Sequence, residues 1–172
     1  MTSNSRTAML RALTLSLISA LTIVTWASID PADSGALWVA GSKGLYNVRA
    51  ETASVDSAAL LGEGVQDVTV SLVDATAWAY GDKTLFRVDP DDGSVAAFAL
   101  PSSVGGGDPS GLVADGANRL VWVAIGDSLY RLDTATGVVE TASFGPAVTG
   151  LALDHRSGDL WVALADEVRR AS

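Results

Sequence analysis

The chain contains no cysteine, one histidine and few basic residues, and each shortage closes off a class of chemistry. Without cysteine there are no disulfides, no thiolate metal sites and no sulfur nucleophile. The compartment stays open, because a fold closed by strand pairing does not depend on disulfides. Eleven Lys and Arg against twenty Asp and Glu give a net charge of −9. Binding a phosphate backbone needs clustered basic side chains that displace counterions, and no basic stripe is present, so the reading is no nucleic acid. Charged residues make up only 18% of the chain and hydrophobic residues 48%, a balance far from that of a disordered polypeptide. At 172 residues the chain fits one domain and can bury a core.

Familiar motifs are missing as well. No G-x-S-x-G segment supports a nucleophile elbow. Gly105-Gly-Gly-Asp-Pro109 lacks the Lys-Ser/Thr pair of a phosphate loop and no helix is expected after it, so it reads as a flexible connector. Alternating long helices are absent, which disfavours a parallel α/β fold.

What is present is an internal repeat, the first thing to settle because it decides the fold. Ala36-Leu-Trp-Val-Ala40, Thr76-Ala-Trp-Ala-Tyr80, Leu120-Val-Trp-Val-Ala124 and Asp159-Leu-Trp-Val-Ala163 align on tryptophans 40, 44 and 39 residues apart. Seven residues beyond each Trp stands Leu45, Leu85, Leu129 or Val168, and ten further on stand Val55, Val95 and Val139. Each segment alternates apolar with small or polar residues, which is the period of a strand. Asp82-Lys83 and Gly126-Asp127 fit tight hairpins after the Trp strand. Asp89-Pro-Asp-Asp-Gly93 and Asp133-Thr-Ala-Thr-Gly137 supply the turn after the next strand.

A first strand precedes each Trp strand, over residues 24–30, 68–74, 111–115 and 148–154, with a closing aspartate recurring as Asp30, Asp74, Asp115 and Asp154. Four strands in a repeat of about 40–45 residues is the signature of a propeller blade. The expectation is an all-β protein, a β-propeller of about four repeats of four antiparallel strands over residues 24–172. The last blade is incomplete, stopping after its third strand at Arg169-Arg-Ala-Ser172.

Val148-Thr-Gly-Leu-Ala-Leu-Asp-His-Arg-Ser-Gly-Asp-Leu-Trp-Val-Ala163 resembles the repeat of streptogramin-lyase-like and NHL-type propellers. Leu120-Val-Trp-Val-Ala-Ile-Gly-Asp-Ser-Leu-Tyr-Arg-Leu-Asp133 is similar to the repeats of two-component-regulator propellers. The resemblance spans about residues 24–170 and rests on blade-forming residues, so it speaks for architecture. Streptogramin-lyase-like enzymes use a histidine with a metal and an acidic partner, and no catalytic residue of that set carries over to this chain.

At the N-terminus, Arg6 and Arg11 precede an uncharged stretch over residues 12–29. A basic region followed by an apolar one makes residues 1–23 a signal peptide or membrane anchor. The alternative is a ring-closing strand over residues 12–18, where Leu13, Leu15 and Leu17 alternate with Thr14 and Ser16. The first reading places the protein outside the cytoplasm, and the second leaves it inside. Propellers close with about four to eight blades. Three explanations for the short last blade stand side by side: a fragment whose other blades are missing, two chains closing a ring together, or the N-terminal strand.

Candidate chemistry is weighed against packing. Trp38, Trp78, Trp122 and Trp161 invite a stacking role, but their identical placement in every repeat favours wedges between blades. Tyr46, Phe86 and Tyr130 recur one strand later and read the same way. The recurring aspartates suit turn formation better than a metal ring. Asp89-Pro-Asp-Asp-Gly93 has its glycine fifth, where a calcium loop needs it sixth. His155 lies in the turn Asp154-His-Arg-Ser-Gly158 with no evident partner. Asp67, Asp115 and Asp154 lie in or next to first strands, beside the channel, where a hard cation on carboxylates is conceivable. No residue is assigned as catalytic, cofactor-binding or metal-binding, and no cofactor is expected.

The leading expectation is a non-catalytic extracytoplasmic binding or sensing module that presents propeller loops to a protein or small ligand. The alternative is a metal-dependent lyase or lactonase-like propeller enzyme. Membrane contact is expected only through an uncleaved N-terminal segment, and self-association is one way to complete the ring.

Overall fold

The computed structural model describes residues 27–29, 36–62, 64–105 and 107–171. Residues 1–23, Asp30 and the strand considered over residues 12–18 lie outside them. Fifteen β-strands and no helix occur among the described residues, in four antiparallel sheets, each made of consecutive strands. Blade 1 is β1 (Ala27–Ile29), β2 (Ala36–Gly41), β3 (Gly44–Arg49) and β4 (Ser54–Leu60). Blade 2 is β5 (Asp67–Val70), β6 (Ala77–Gly81), β7 (Thr84–Val88) and β8 (Val95–Ala99). Blade 3 is β9 (Gly111–Asp115), β10 (Leu120–Ile125), β11 (Ser128–Asp133) and β12 (Val139–Ser143). Blade 4 has three strands, β13 (Val148–Asp154), β14 (Asp159–Leu164) and β15 (Val168–Ala171). The propeller architecture and the short last blade are as the repeat predicts.

The alternation along each Trp strand gives a blade two apolar faces. One, the trailing face, carries the tryptophan and meets the next blade; the other, the leading face, meets the blade before. Trp38 and Leu45 pack with Ala79, Phe86 and Val88 of blade 2. Trp78 and Leu85 pack with Val123, Tyr130 and Leu132 of blade 3. Ala124, Leu129 and the half-buried Trp122 pack with Leu160, Val162 and Leu164 of blade 4. The core is therefore a series of wedges, each owned by two blades, and burial of these side chains is what holds the blades together. The first strands β1, β5, β9 and β13 lie side by side in chain order, whereas β8 and β12 are largely exposed. First strands thus run along the inner edge and fourth strands form the rim.

One detail departs from the expected pattern. The first strand of blade 2 spans Asp67–Val70, and residues 71–74 form a turn. In consequence Asp74 does not occupy the position of Asp115 and Asp154. Those two pair with Leu120 and Asp159, each two residues ahead of its tryptophan. The same register in blade 2 belongs to Ser71, whose amide donates to the Thr76 carbonyl at 2.9 Å. Asp74 sits three residues on, in a longer turn, and accepts from the Thr76 amide at 3.3 Å. Ahead of the Gly105–Pro109 segment, Leu100 and Val104 are buried between blades 2 and 3.

The Asp-x-x-x-Gly turn recurs in one geometry, after the third strand in blades 2 and 3 and after the first strand in blade 4. Gly93, Gly137 and Gly158 have φ of 70°, 72° and 77°, a left-handed conformation that glycine adopts without steric cost. Their amides donate to the carbonyls of Asp89, Asp133 and Asp154 at 3.0, 2.8 and 2.8 Å. The aspartate side chains accept the amides two residues on, from Asp91, Ala135 and Arg156 at 3.0, 2.8 and 2.9 Å. This local bonding is why aspartate recurs there.

Candidate functional site

The blade stack has two ends. At the lower end lie the turns that leave the first strands, held together by small side chains. A Cβ on Gly116 would stand 2.2 Å from the Ser71 hydroxyl and 3.0 Å from the Val73 Cβ, so glycine here lets the turns of blades 2 and 3 approach without displacing either side chain. Between them is a cleft with about 40 Å³ of room, lined by Ser71, Asp74, Trp78, Asp115, Arg119 and Thr134 among others. That is space for a few waters and not for an organic ligand. Its two carboxylates are already engaged. Asp115, 4% exposed, accepts the Asn118 amide at 3.2 Å and its side-chain NH₂ at 2.7 Å. Burial pushes the Asp74 carboxyl up, but the Ser71 hydroxyl, the Thr76 amide and hydroxyl and the Arg87 charge together hold it below the usual range.

At the upper end the first strands begin, and the blade-to-blade connectors meet the hairpins at Asp82-Lys83 and Gly126-Asp127. Gln66 donates through Nε2 to Asp108 Oδ1 at 2.6 Å, a bond that ties the connector before blade 2 to the one before blade 3. Next to it Asp67 opens β5. Burial raises its carboxyl to about 6, against the Val68 amide, which donates to Oδ1 at 2.8 Å and lowers it. Beneath the same loops Tyr80 is 1% exposed, and burial, with the charges of Asp82 and Asp108 and Tyr130 adding to it, raises its phenol above the usual value, against the Lys83 amide. Asp82, Asp108 and Asp127 are exposed on this end, Lys83 half-buried and Lys43 exposed, so among the described residues acids outnumber bases there.

The carboxylates considered for a channel cation are not brought together. Asp67 opens its first strand at the upper end, whereas Asp115 and Asp154 close theirs at the lower end, in different blades. Hydrogen bonds from the Arg156 amide and then the Ser157 hydroxyl hold Asp154 below the usual range. Among the described residues no three His, Asp or Glu side chains form a cluster that could hold a metal. His155 is exposed in the lower turn of blade 4. Trp38 and Trp78 are buried wedges, Trp122 is half-buried with Arg131 over its ring at 5.6 Å, and Trp161 is 43% exposed. Asp67 is one of the residues sequence reasoning placed beside the channel; its desolvation and the Gln66–Asp108 bridge are what that reasoning missed. The only signal was polar residues flanking a connector.

No family model matches the chain, and no curated protein matches it. Solved structures do. The extracellular domain of a putative hybrid two-component system from B. thetaiotaomicron superposes with a TM-score of 0.65 at 18% identity, over 87% of this chain and 20% of that one. Hydrazine synthase of Kuenenia stuttgartiensis gives 0.70 at 13%, over 86% of this chain and 45% of that one. The WD40 β-propeller domain of Doa1 gives 0.66 at 14%, over 86% and 49%. The chain therefore spans between a fifth and a half of these relatives in shape, and it shares the propeller fold with them.

Proposed function

We propose that the chain is a non-catalytic extracytoplasmic binding or sensing module whose upper loops take a protein or small polar ligand. The observation that carries this reading is the upper end itself. Connectors from successive blades converge there on a rigid sheet scaffold, the arrangement in which loops commonly carry recognition. A partly desolvated carboxylate, Asp67, lies beside the bridged pair Gln66–Asp108 with acids around it. Such a surface suits a cationic or hydrogen-bond-donating group, which would favour the ionised Asp67. Support for location comes from the basic-then-apolar residues 1–23 and from a structural neighbour described as an extracellular domain. Catalysis finds no support in the geometry, since each candidate carboxylate at the lower end is bonded to its own turn.

The test is a thermal-shift screen of small amines, polyamines, amino acids and basic peptides on the full chain, repeated with Asp67→Asn and Asp108→Asn. Ligands that stabilise the parent and lose their effect in both variants support the reading. Turnover of lactone or lyase substrates with added magnesium or calcium, abolished in Asp115→Asn, would overturn it. Export is tested by fusing residues 1–30 to a reporter active only outside the cytoplasm. Signal is expected, and Leu15→Arg should remove it.

A further inference from the structure

We propose that β8 is an assembly edge, pairing antiparallel with β8 of a second copy about a two-fold axis at Ala97. β8 is the outer strand of blade 2, and among the described residues no strand lies beyond it in its sheet. An edge strand offers a row of unpaired backbone groups, and proteins commonly guard it with charge, proline or a bulge. The outer strands of this chain differ in that respect. β4 holds an extra residue, Asp56, at a register shift opposite Asn47 and Val48, and Asp56 pairs with Arg49 at 2.6 Å. β12 carries Glu140 in an ion pair with Arg131. β8 is Val95-Ala-Ala-Phe-Ala99, with unbroken register, no charge, and every residue exposed except the half-buried Phe98. It is the unguarded edge of the three.

The register decides which backbone groups are free. In an antiparallel ladder, bonded pairs alternate with unbonded ones. At the two ends of β8 the Leu100 amide donates to the Lys83 carbonyl at 2.8 Å and the Asp89 amide to the Ser94 carbonyl at 3.0 Å. Ser94, Ala96, Phe98 and Leu100 therefore turn their backbone groups to β7, and Val95, Ala97 and Ala99 turn theirs outward. A second β8 running the other way meets those groups in kind, Ala97 against Ala97 and Val95 against Ala99. On the opposite face it sets Ala96 against Phe98, so the large ring, packed on Trp78 at 5.7 Å between ring centres, gains a small neighbour. Charge favours this orientation. The acids Asp91 and Asp92 precede β8 and Pro101, Ser102 and Ser103 follow it, so antiparallel pairing sets acids against uncharged residues. Parallel pairing would set the acids against their own copies. A two-fold pair uses up both edges and stops at two chains. The contact is short, in the class of small, concentration-dependent interfaces.

Sedimentation of the full chain over a wide concentration range should show monomer passing to a discrete dimer. Ala97→Pro removes an outward N–H and leaves the bonds from β8 to β7, the kind of edge position where a sheet tolerates proline. It should raise the dissociation constant by more than about tenfold, and Ala97→Lys, which sets like charges opposite each other, should do the same. Circular dichroism checks that both variants keep their β-structure. A cross-link tests the axis without blocking the edge. The chain has no cysteine, and Cα atoms of a bonded antiparallel pair stand about 5.5 Å apart, within reach of a disulfide. Under mild oxidation Ala97→Cys should therefore join to itself, and Thr141→Cys, the same position on β12, should not. Monomer at all concentrations, a dimer that Ala97→Pro leaves intact, an open polymer, or equal cross-linking at Thr141→Cys would overturn the inference. The pairing uses none of Gln66, Asp67 and Asp108, so ligand binding and assembly are read separately.

Discussion

Blades 2 and 4 are written in nearly the same residues, Trp78 and Trp161 heading one strand pattern and Leu85 and Val168 following at the same distance. In blade 2 these side chains are 3% and 0% exposed, and in blade 4 they are 43% and 63%. Both sheets keep their ladders in the same register, so the difference does not arise within the blade. It arises from what stands behind it: blade 3 covers blade 2, and no described blade covers blade 4. In a repeat fold the stabilising area belongs to interfaces between neighbours, and an identical repeat contributes differently according to its place in the row.

The largest effect expected is at the covered wedge. Trp78→Ala should cost about 3–5 kcal/mol in urea unfolding, the usual loss for a buried large aromatic. Replacing Asp67 comes next, and its effect depends on pH. Burial raises its carboxyl from 3.8 to about 6, so the folded chain keeps a proton that the unfolded chain releases earlier. The stability this gives is fully present below about pH 4 and is lost as pH rises through about 6. Asp67→Asn should therefore stabilise the protein by about 1–3 kcal/mol at pH 7 and hardly at all at pH 4, measured by thermal unfolding at both values. At the uncovered face Trp161→Ala should cost less than about 1 kcal/mol in dilute protein. Loss near that of Trp78→Ala under those conditions would erase the distinction between the blades. Smallest is Arg131→Gln, which gives up a contact over the Trp122 ring and an exposed pair with Glu140; about 0.5 kcal/mol is expected from double-mutant cycles.

The blade period was legible because the Trp strands, their hairpins and the Asp-x-x-x-Gly turns are all short-range patterns. Asp82 with φ of 40° and Gly126 at 62° sit in the turns their residue types predict, while Lys83 takes φ of 65° beside Asp82 against its own preference. Trp122 was harder to judge. Its strand is flanked on both sides, yet it is half-buried, and in blade 4, which packs on it, Arg169 and Ala171 stand at the register positions that Tyr130 and Leu132 hold in blade 3. Asp74 was misplaced in the repeat because an aspartate three residues along a longer turn looks identical in sequence to one at the register position. The state of Asp67 was invisible for a similar reason. Desolvation of a carboxylate depends on which connector folds over it, and Gln66 and Asp108 are 42 residues apart.

Amide hydrogen exchange resolved by strand tests most directly the claim that repeated sequence carries unequal stability. In dilute protein the slowest amides should lie in β6, β7, β10 and β11, the middle strands of blades covered on both faces, and should report the global unfolding free energy. Those of β14 and β15 should exchange faster. Equal protection of all four blades at every concentration, or faster exchange in β6 and β10 than in β14, would contradict it.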